Sequence, residues 1–167
     1  MSKPIRVLFV DDSDDDVMLL IKALKKGGYS PIYEQVDTAD AMSDALDSQT
    51  WDAILCDYSM PNFSAFSALK LYKKKGFDLP FIIVSGTITD ATAVSAMKAG
   101  AHDYIIKDND IALKKVVNKI EKIARLVELQ RGNRIVKQAM IVSVLFLVLI
   151  VIFSMLHILF NAFGISK

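Results

Sequence analysis

The chain has 167 residues, 53% of them hydrophobic, with a single cysteine, Cys56, and a formal net charge of +1. That length suits one packed domain of roughly 100–150 residues with a short appendage, and one cysteine excludes an internal disulfide framework. The near-neutral total conceals three zones, since residues 1–110 carry a net −6, residues 111–137 a net +6, and residues 138–167 only Lys167.

The N-terminal segment is too acidic for a signal peptide, and the chain has no Cys/His cluster, Walker A loop or internal repeat. In chain order, short apolar runs at Ile5–Val10, Ile32–Val36, Ala53–Cys56, Phe81–Val84 and Tyr104–Ile106 alternate with segments of helical periodicity. Five strands and five helices follow. Ser13, with Asp16 three residues on, suits a capped start of the first helix, and Gly27-Gly28 its end. Asp37 or Thr38, a polar stretch from Asn62 to Ser64, Thr89 or Asp90, and Asp108 or Asn109 suit the remaining starts. Alternating β and α units imply a doubly wound parallel sheet of flavodoxin-like order 2-1-3-4-5.

Beyond that unit, Leu113, Val116, Val117, Ile120, Ile123, Val127 and Ile135 continue with helical, partly heptad-like spacing. One extended helix closes the domain and runs on. Residues 127–137 form a basic juxtamembrane linker, residues 138–163 a transmembrane helix, and residues 164–167 a short tail. A helix over 139–163 is about 37 Å long, against a hydrocarbon thickness of ~30 Å. It lacks the polar face of an amphipathic partner helix. His157, near the far end, reads as an interfacial histidine. Arg125, Arg131, Arg134 and Lys137 precede the span and only Lys167 follows it, which places the N-terminal domain in the cytoplasm. Such a strip meets anionic lipid headgroups more economically than nucleic acid, at ~1 kcal/mol per charge.

In doubly wound sheets, ligands sit at the carboxyl ends of the strands. Asp11 and Asp12 stand there after the first strand, Asp57 after the third, Ser85 after the fourth and Lys107 after the fifth. The second strand contributes nothing comparable. Clustered carboxylates repel unless a cation joins them, and oxygen ligands suit Mg²⁺. Asp11 and Asp12 are the metal-side candidates. Asp57 is positioned as a nucleophile able to form an aspartyl phosphate, with Lys107 to neutralise the phosphoryl group and Ser85 to donate a hydrogen bond to it.

From about Lys3 to Arg125, with a domain spanning 3–126, the chain closely resembles the receiver domain of bacterial two-component response regulators. "VDDSDDD" resembles its acidic pair, "ILCDYSMP" its phosphoacceptor motif, "IIVSGT" its hydroxyl switch and "AGAHDYIIKD" its aromatic and lysine motif. The resemblance implies phosphorylation of Asp57 and Mg²⁺ held by Asp12 and Asp57, with help from Asp11 and the main-chain carbonyl of Ser59. It further implies phosphoryl contacts from Ser85 and Lys107, and Tyr104 as a rotating aromatic. Two departures stand out: Asp108 follows the lysine where receivers usually have proline, and the glycine common after the Met-Pro pair is missing.

The expected function is a phosphoacceptor switch anchored, single-pass, in the inner (cytoplasmic) membrane and not an enzyme. Its partners would be a histidine kinase or phosphotransfer protein, a downstream protein, membrane lipid and, for dimers, a second copy. No effector domain or nucleic-acid contact is expected. The alternatives are a constitutive anchored scaffold, dimerising through residues 110–163, and an Asp-nucleophile phosphatase. That phosphatase chemistry wants a second acid where this chain has Ser59. His102 reads as a surface or loop histidine, and Cys56 as a small core residue.

Overall fold

Apolar residues alternating along five short strands produce two buried faces, and the observed elements follow that pattern. The computed structural model describes the backbone of residues 2–86, 90–107 and 110–162. Among these the order is β1 (Lys3–Val10), α1 (Asp14–Lys26), β2 (Tyr29–Val36), α2 (Ala39–Ser48), β3 (Ala53–Asp57), α3 (Ala65–Lys75), β4 (Phe81–Ser85), α4 (Asp90–Ala99), β5 (Asp103–Ile106) and α5 (Asp110–Ala162). Two compact units result, Met1–Val127 and Glu128–Lys167.

In the first unit all five strands are parallel, in the expected order β2-β1-β3-β4-β5. Central β3 and β4 are buried throughout, as strands covered on both faces must be. Val7, Phe9, Leu55, Ile82, Val84 and Ile105 face one core, shared with Leu20 and Leu24 of α1 and Ile120 and Ile123 of α5. The intervening Leu8, Val10, Ile54, Cys56, Phe81 and Ile83 face the other, with Met42, Leu46, Leu69 and Tyr72 of α2 and α3. Each strand thereby feeds both cores through its period of two.

Strands β1 and β2 begin earlier than their apolar runs, at Lys3 and Tyr29, because their pairing continues through polar residues. Edge strand β2 accommodates Pro31, which has no N–H to give to the ladder.

The local stops match the chemistry of their residues. Ser13, Thr38 and Ser64 are the N-caps of α1, α2 and α3, accepting from the N–H of Asp16, Ala41 and Ser67 respectively. Gly76 ends α3 in the left-handed region at φ 73°, where a side chain would be strained. The expected cap Thr89 and the loop residues Asp108 and Asn109 lie outside the described residues.

The second unit contains the remainder of α5. Its segment Gly132–Phe160 is 29 residues long, and the most apolar 18-residue stretch within it has a mean hydropathy of 3.1, with none of it buried. It is long and apolar enough to cross a membrane. Phe163 and residues 164–167 lie outside the described residues.

Candidate functional site

Asp11, Asp57 and Ser85 are the buried polar residues among those described, and all three stand at the carboxyl edge of the sheet. Burial of carboxylates needs compensation, and the chain supplies it locally. The Asp11 main chain extends the β1–β2 ladder by donating to Val36 at 2.9 Å, and its Oδ1 accepts from Ser13 N–H at 2.9 Å. Asp57 closes β3, with Oδ2 accepting from Ser59 N–H at 2.7 Å. Lys107 is fixed where β5 ends, its main-chain N–H donating to the Ser85 carbonyl at 2.7 Å.

The Lys107 ammonium draws the cluster together. Nζ donates to Asp16 Oδ2 at 2.6 Å, Asp57 Oδ1 at 2.7 Å and Asp11 Oδ2 at 3.1 Å. Burial alone would lower the pKa of this ammonium. Hydrogen bonds to Asp16 and Asp57, with the charges of Asp11 and Asp57, reverse that and push it up. Burial raises the Asp11 carboxyl above its ordinary value and Asp57 adds to the rise, while the Ser13 hydrogen bond and Lys107 act the other way. Burial, then the charges of Asp57 and Asp11, hold the Cys56 thiol well above its usual range. Cys56 is accordingly a core residue and not a competing nucleophile.

Asp12 stands apart from the three-carboxylate cluster. It is exposed and, with Asp14, Gln35 and Asp37, lines a polar depression beside Asp11. Ser59 is exposed next to Asp57. Tyr104 is half-buried against the α2–α3 core. Lys119 Nζ lies 5.8 Å from its ring centroid and donates to its carbonyl and to Asp103 Oδ1, both at 2.9 Å.

Three side chains have roles that local reading does not show. Asp16 reads as a helix-start acid, and its N–H does serve the Ser13 cap, but its carboxylate belongs to the Lys107 cluster. The edge strand is not without a contribution, because Gln35 Nε2 donates to the Asp11 carbonyl at 3.1 Å and to Asp14 Oδ1 at 3.0 Å. His102 lies in the loop before β5, as one of the two expected readings has it, but is half-buried there and straps β4 to β5. Its N–H donates to the Phe81 carbonyl at 2.9 Å, and its Nδ1 accepts from Phe81 N–H at 3.1 Å. Burial lowers its pKa, Lys73 lowers it further, and Asp78 opposes both.

Carboxylate oxygens of Asp11, Asp16 and Asp57 lie within 4.8 Å of one another. One ammonium against three carboxylates leaves an excess of negative charge, and the donor set is all oxygen, which fits a hard divalent cation such as Mg²⁺. Asp11 and Asp57 would hold it from the buried side, with Asp12 beside them on the exposed rim.

The family model of the response regulator receiver domain matches residues 7–121. The transcriptional regulatory protein PrrA of Mycobacterium tuberculosis is 29% identical over 120 residues, covering 72% of this chain and 50% of its own length. ZraR of Escherichia coli, another transcriptional regulatory protein, is 33% identical over 109 residues, 64% of this chain and 24% of its own. The chain therefore spans half or less of these relatives. Full-length FixJ from B. japonicum is similar in structure, with a TM-score of 0.66 and 26% identity over 83% of this chain and 66% of that one. The beryllofluoride-activated NtrC4 receiver domain dimer gives a TM-score of 0.62 at 24% identity, covering 73% and 98%.

Proposed function

Because this chain belongs to the response regulator receiver family, whose members act in phosphorylation-dependent signalling and generally bind Mg²⁺, we propose that it is a membrane-anchored phosphoacceptor switch. Asp57 is the acceptor, and the donor is a histidine kinase or phosphotransfer protein. The observation that carries this reading is the Asp57 carboxylate, 7% exposed at the end of β3, with one oxygen 2.7 Å from Lys107 Nζ and the other 2.7 Å from Ser59 N–H.

A carboxylate oxygen of Asp57 attacks phosphorus, forming the acyl phosphate. The bond from phosphorus to the donor's nitrogen or oxygen breaks, and the leaving group keeps the electron pair. Lys107, held charged by its carboxylate partners, neutralises the arriving phosphoryl oxygens, and Ser85 donates a hydrogen bond to them. Asp16 acts as a positioning residue, keeping the ammonium over Asp57. A bound Mg²⁺ would supply further charge neutralisation, held by Asp11, Asp12, Asp57 and the Ser59 carbonyl. Tyr104, braced by Lys119, is the aromatic whose rearrangement alters protein contacts. Apart from accepting the phosphoryl group from that protein, the chemistry proposed is self-phosphorylation from small donors and loss of the phosphate, with no turnover of another substrate.

The receiver unit is 3–126, the basic linker 127–137, the span 138–163 and the tail 164–167. The apolar helix Gly132–Phe160, which Arg125 precedes and whose own charged residues, Arg134 and Lys137, lie in its first two turns, supports an inner-membrane anchor with the receiver in the cytoplasm. The downstream partner is a protein, with no nucleic-acid contact. Acetyl phosphate with Mg²⁺ should label the full chain and leave Asp57→Ala unlabelled. Equal labelling of both would overturn the acceptor assignment, and release of the full chain from membranes by carbonate would overturn the anchor.

A further inference from the structure

Beyond Gln138 the chargeless part of α5 carries few polar side chains, too few for the polar face of an amphipathic helix, and they are not scattered. Between Ala139 and Ala162 they are Ser143, Ser154, His157 and Asn161. All four fall on one seam with alternating steps of three and four, and the same series continues back to Asn133. The remaining positions of the series, Val136, Met140, Leu147 and Ile150, are apolar. On either flank the residue type repeats every seven, with Phe146, Phe153 and Phe160 on one side and Val144, Val151 and Ile158 on the other.

A lone helix in lipid has no use for this period. The 3.5-residue repeat drifts about 20° per heptad on a straight helix, so from Asn133 to Asn161 it would wind about 80° around the surface. It stays on one side only when helices supercoil around each other. The polar groups make the same demand. The Ser143 hydroxyl is satisfied within its own helix, donating to the Ala139 and Met140 carbonyls at 3.2 Å. An imidazole and a carboxamide have more hydrogen-bonding capacity than a hydroxyl, and helix carbonyls are already used by the backbone ladder. Near the far interface, where His157 stands, as in the hydrocarbon itself, such groups gain by turning toward protein and away from acyl chains. A second copy enters the membrane with the same polarity, and a two-fold parallel pair would set each seam residue against its own counterpart.

We infer that the seam through Asn133, Ser143, Ser154, His157 and Asn161 is a self-association surface that pairs two copies of this chain as a parallel transmembrane dimer. The inference rests on the membrane anchor proposed above. It adds that the anchor itself sets the switch's oligomeric state, independently of phosphorylation.

The test is oxidative cross-linking of the full chain in membranes. The native Cys56 is fully buried and does not compete. Leu147→Cys and Ser154→Cys, on the seam, should give dimers at least about fivefold more readily than Leu145→Cys and Ile152→Cys on the opposite face. In phosphatidylcholine–phosphatidylglycerol vesicles, His157→Leu combined with Asn161→Leu should weaken the dimer about tenfold by energy transfer. Even cross-linking at all four positions, cross-linking to a different protein, or an unchanged dimer in the double variant would overturn the seam while leaving the anchor standing. Carbonate extraction of the full chain would overturn both.

Discussion

The two units treat apolar surface in opposite ways. In the first, Phe9 is fully buried between sheet and α1, and the few polar groups that enter the interior are bonded to one another. In the second, Phe146 is 65% exposed and surrounded by residues as apolar as itself. The first folds by hiding side chains from water within one chain. The second has nothing of its own to hide behind, so its stability depends on the surrounding medium or on another helix.

The contrast can be broken most forcefully with matched substitutions. Phe9→Ala should destabilise the receiver unit by about 3–5 kcal/mol in denaturant unfolding, whereas Phe146→Ala should leave that transition unmoved. Lys107→Ala would leave three carboxylates facing each other without their ammonium. It should cost about 3 kcal/mol at neutral pH, with stability recovered on adding Mg²⁺, as thermal denaturation would show.

A third prediction runs the other way. Burial raises the Asp11 pKa, so in the ionised form this group opposes folding, and its penalty develops as pH rises above the ordinary carboxylate value. Without divalent cations, Asp11→Asn should melt higher than the unaltered chain at pH 7, and the gap should close toward pH 4. Asp16→Asn should slow acetyl-phosphate labelling several-fold, with Asp16→Glu partly restoring the rate. Restoration by the longer acid separates positioning of Lys107 from helix capping, which the Asp16 main chain performs in either variant. The smallest effect is expected at the rim of the receiver, where Tyr29 donates to Glu121 and its phenol is pushed up to about 12 by burial and by that carboxylate. Tyr29→Phe should cost about 1 kcal/mol in the same unfolding measurement.

What was legible in the sequence was whatever is encoded locally or by period. Five apolar runs and helix-start hydroxyls such as Ser13 and Ser64 identify the elements. The rule that ligands sit at the carboxyl ends of parallel strands then gathers Asp11, Asp57, Ser85 and Lys107. Less legible were the groups whose role depends on a distant partner. Asp16 meets Lys107 across 91 positions, and an acid in a first helical turn already has a sufficient local explanation in the helix dipole. Gln35 and His102 are similar, because each bonds to backbone on a neighbouring strand. The exposed Asp12 shows the converse. Adjacency to Asp11 in sequence makes the two look alike, but strand and turn geometry bury one and leave the other in solvent.

The central claim is that Asp57 receives the phosphoryl group. Borohydride reduces an aspartyl phosphate to homoserine, so treating the acetyl-phosphate-labelled full chain with borohydride and sequencing its peptides by mass spectrometry reads the acceptor directly. Homoserine at position 57, lost when Mg²⁺ is chelated, is the predicted result. Homoserine at Asp11, Asp12 or Asp16, with position 57 still aspartate, would contradict it.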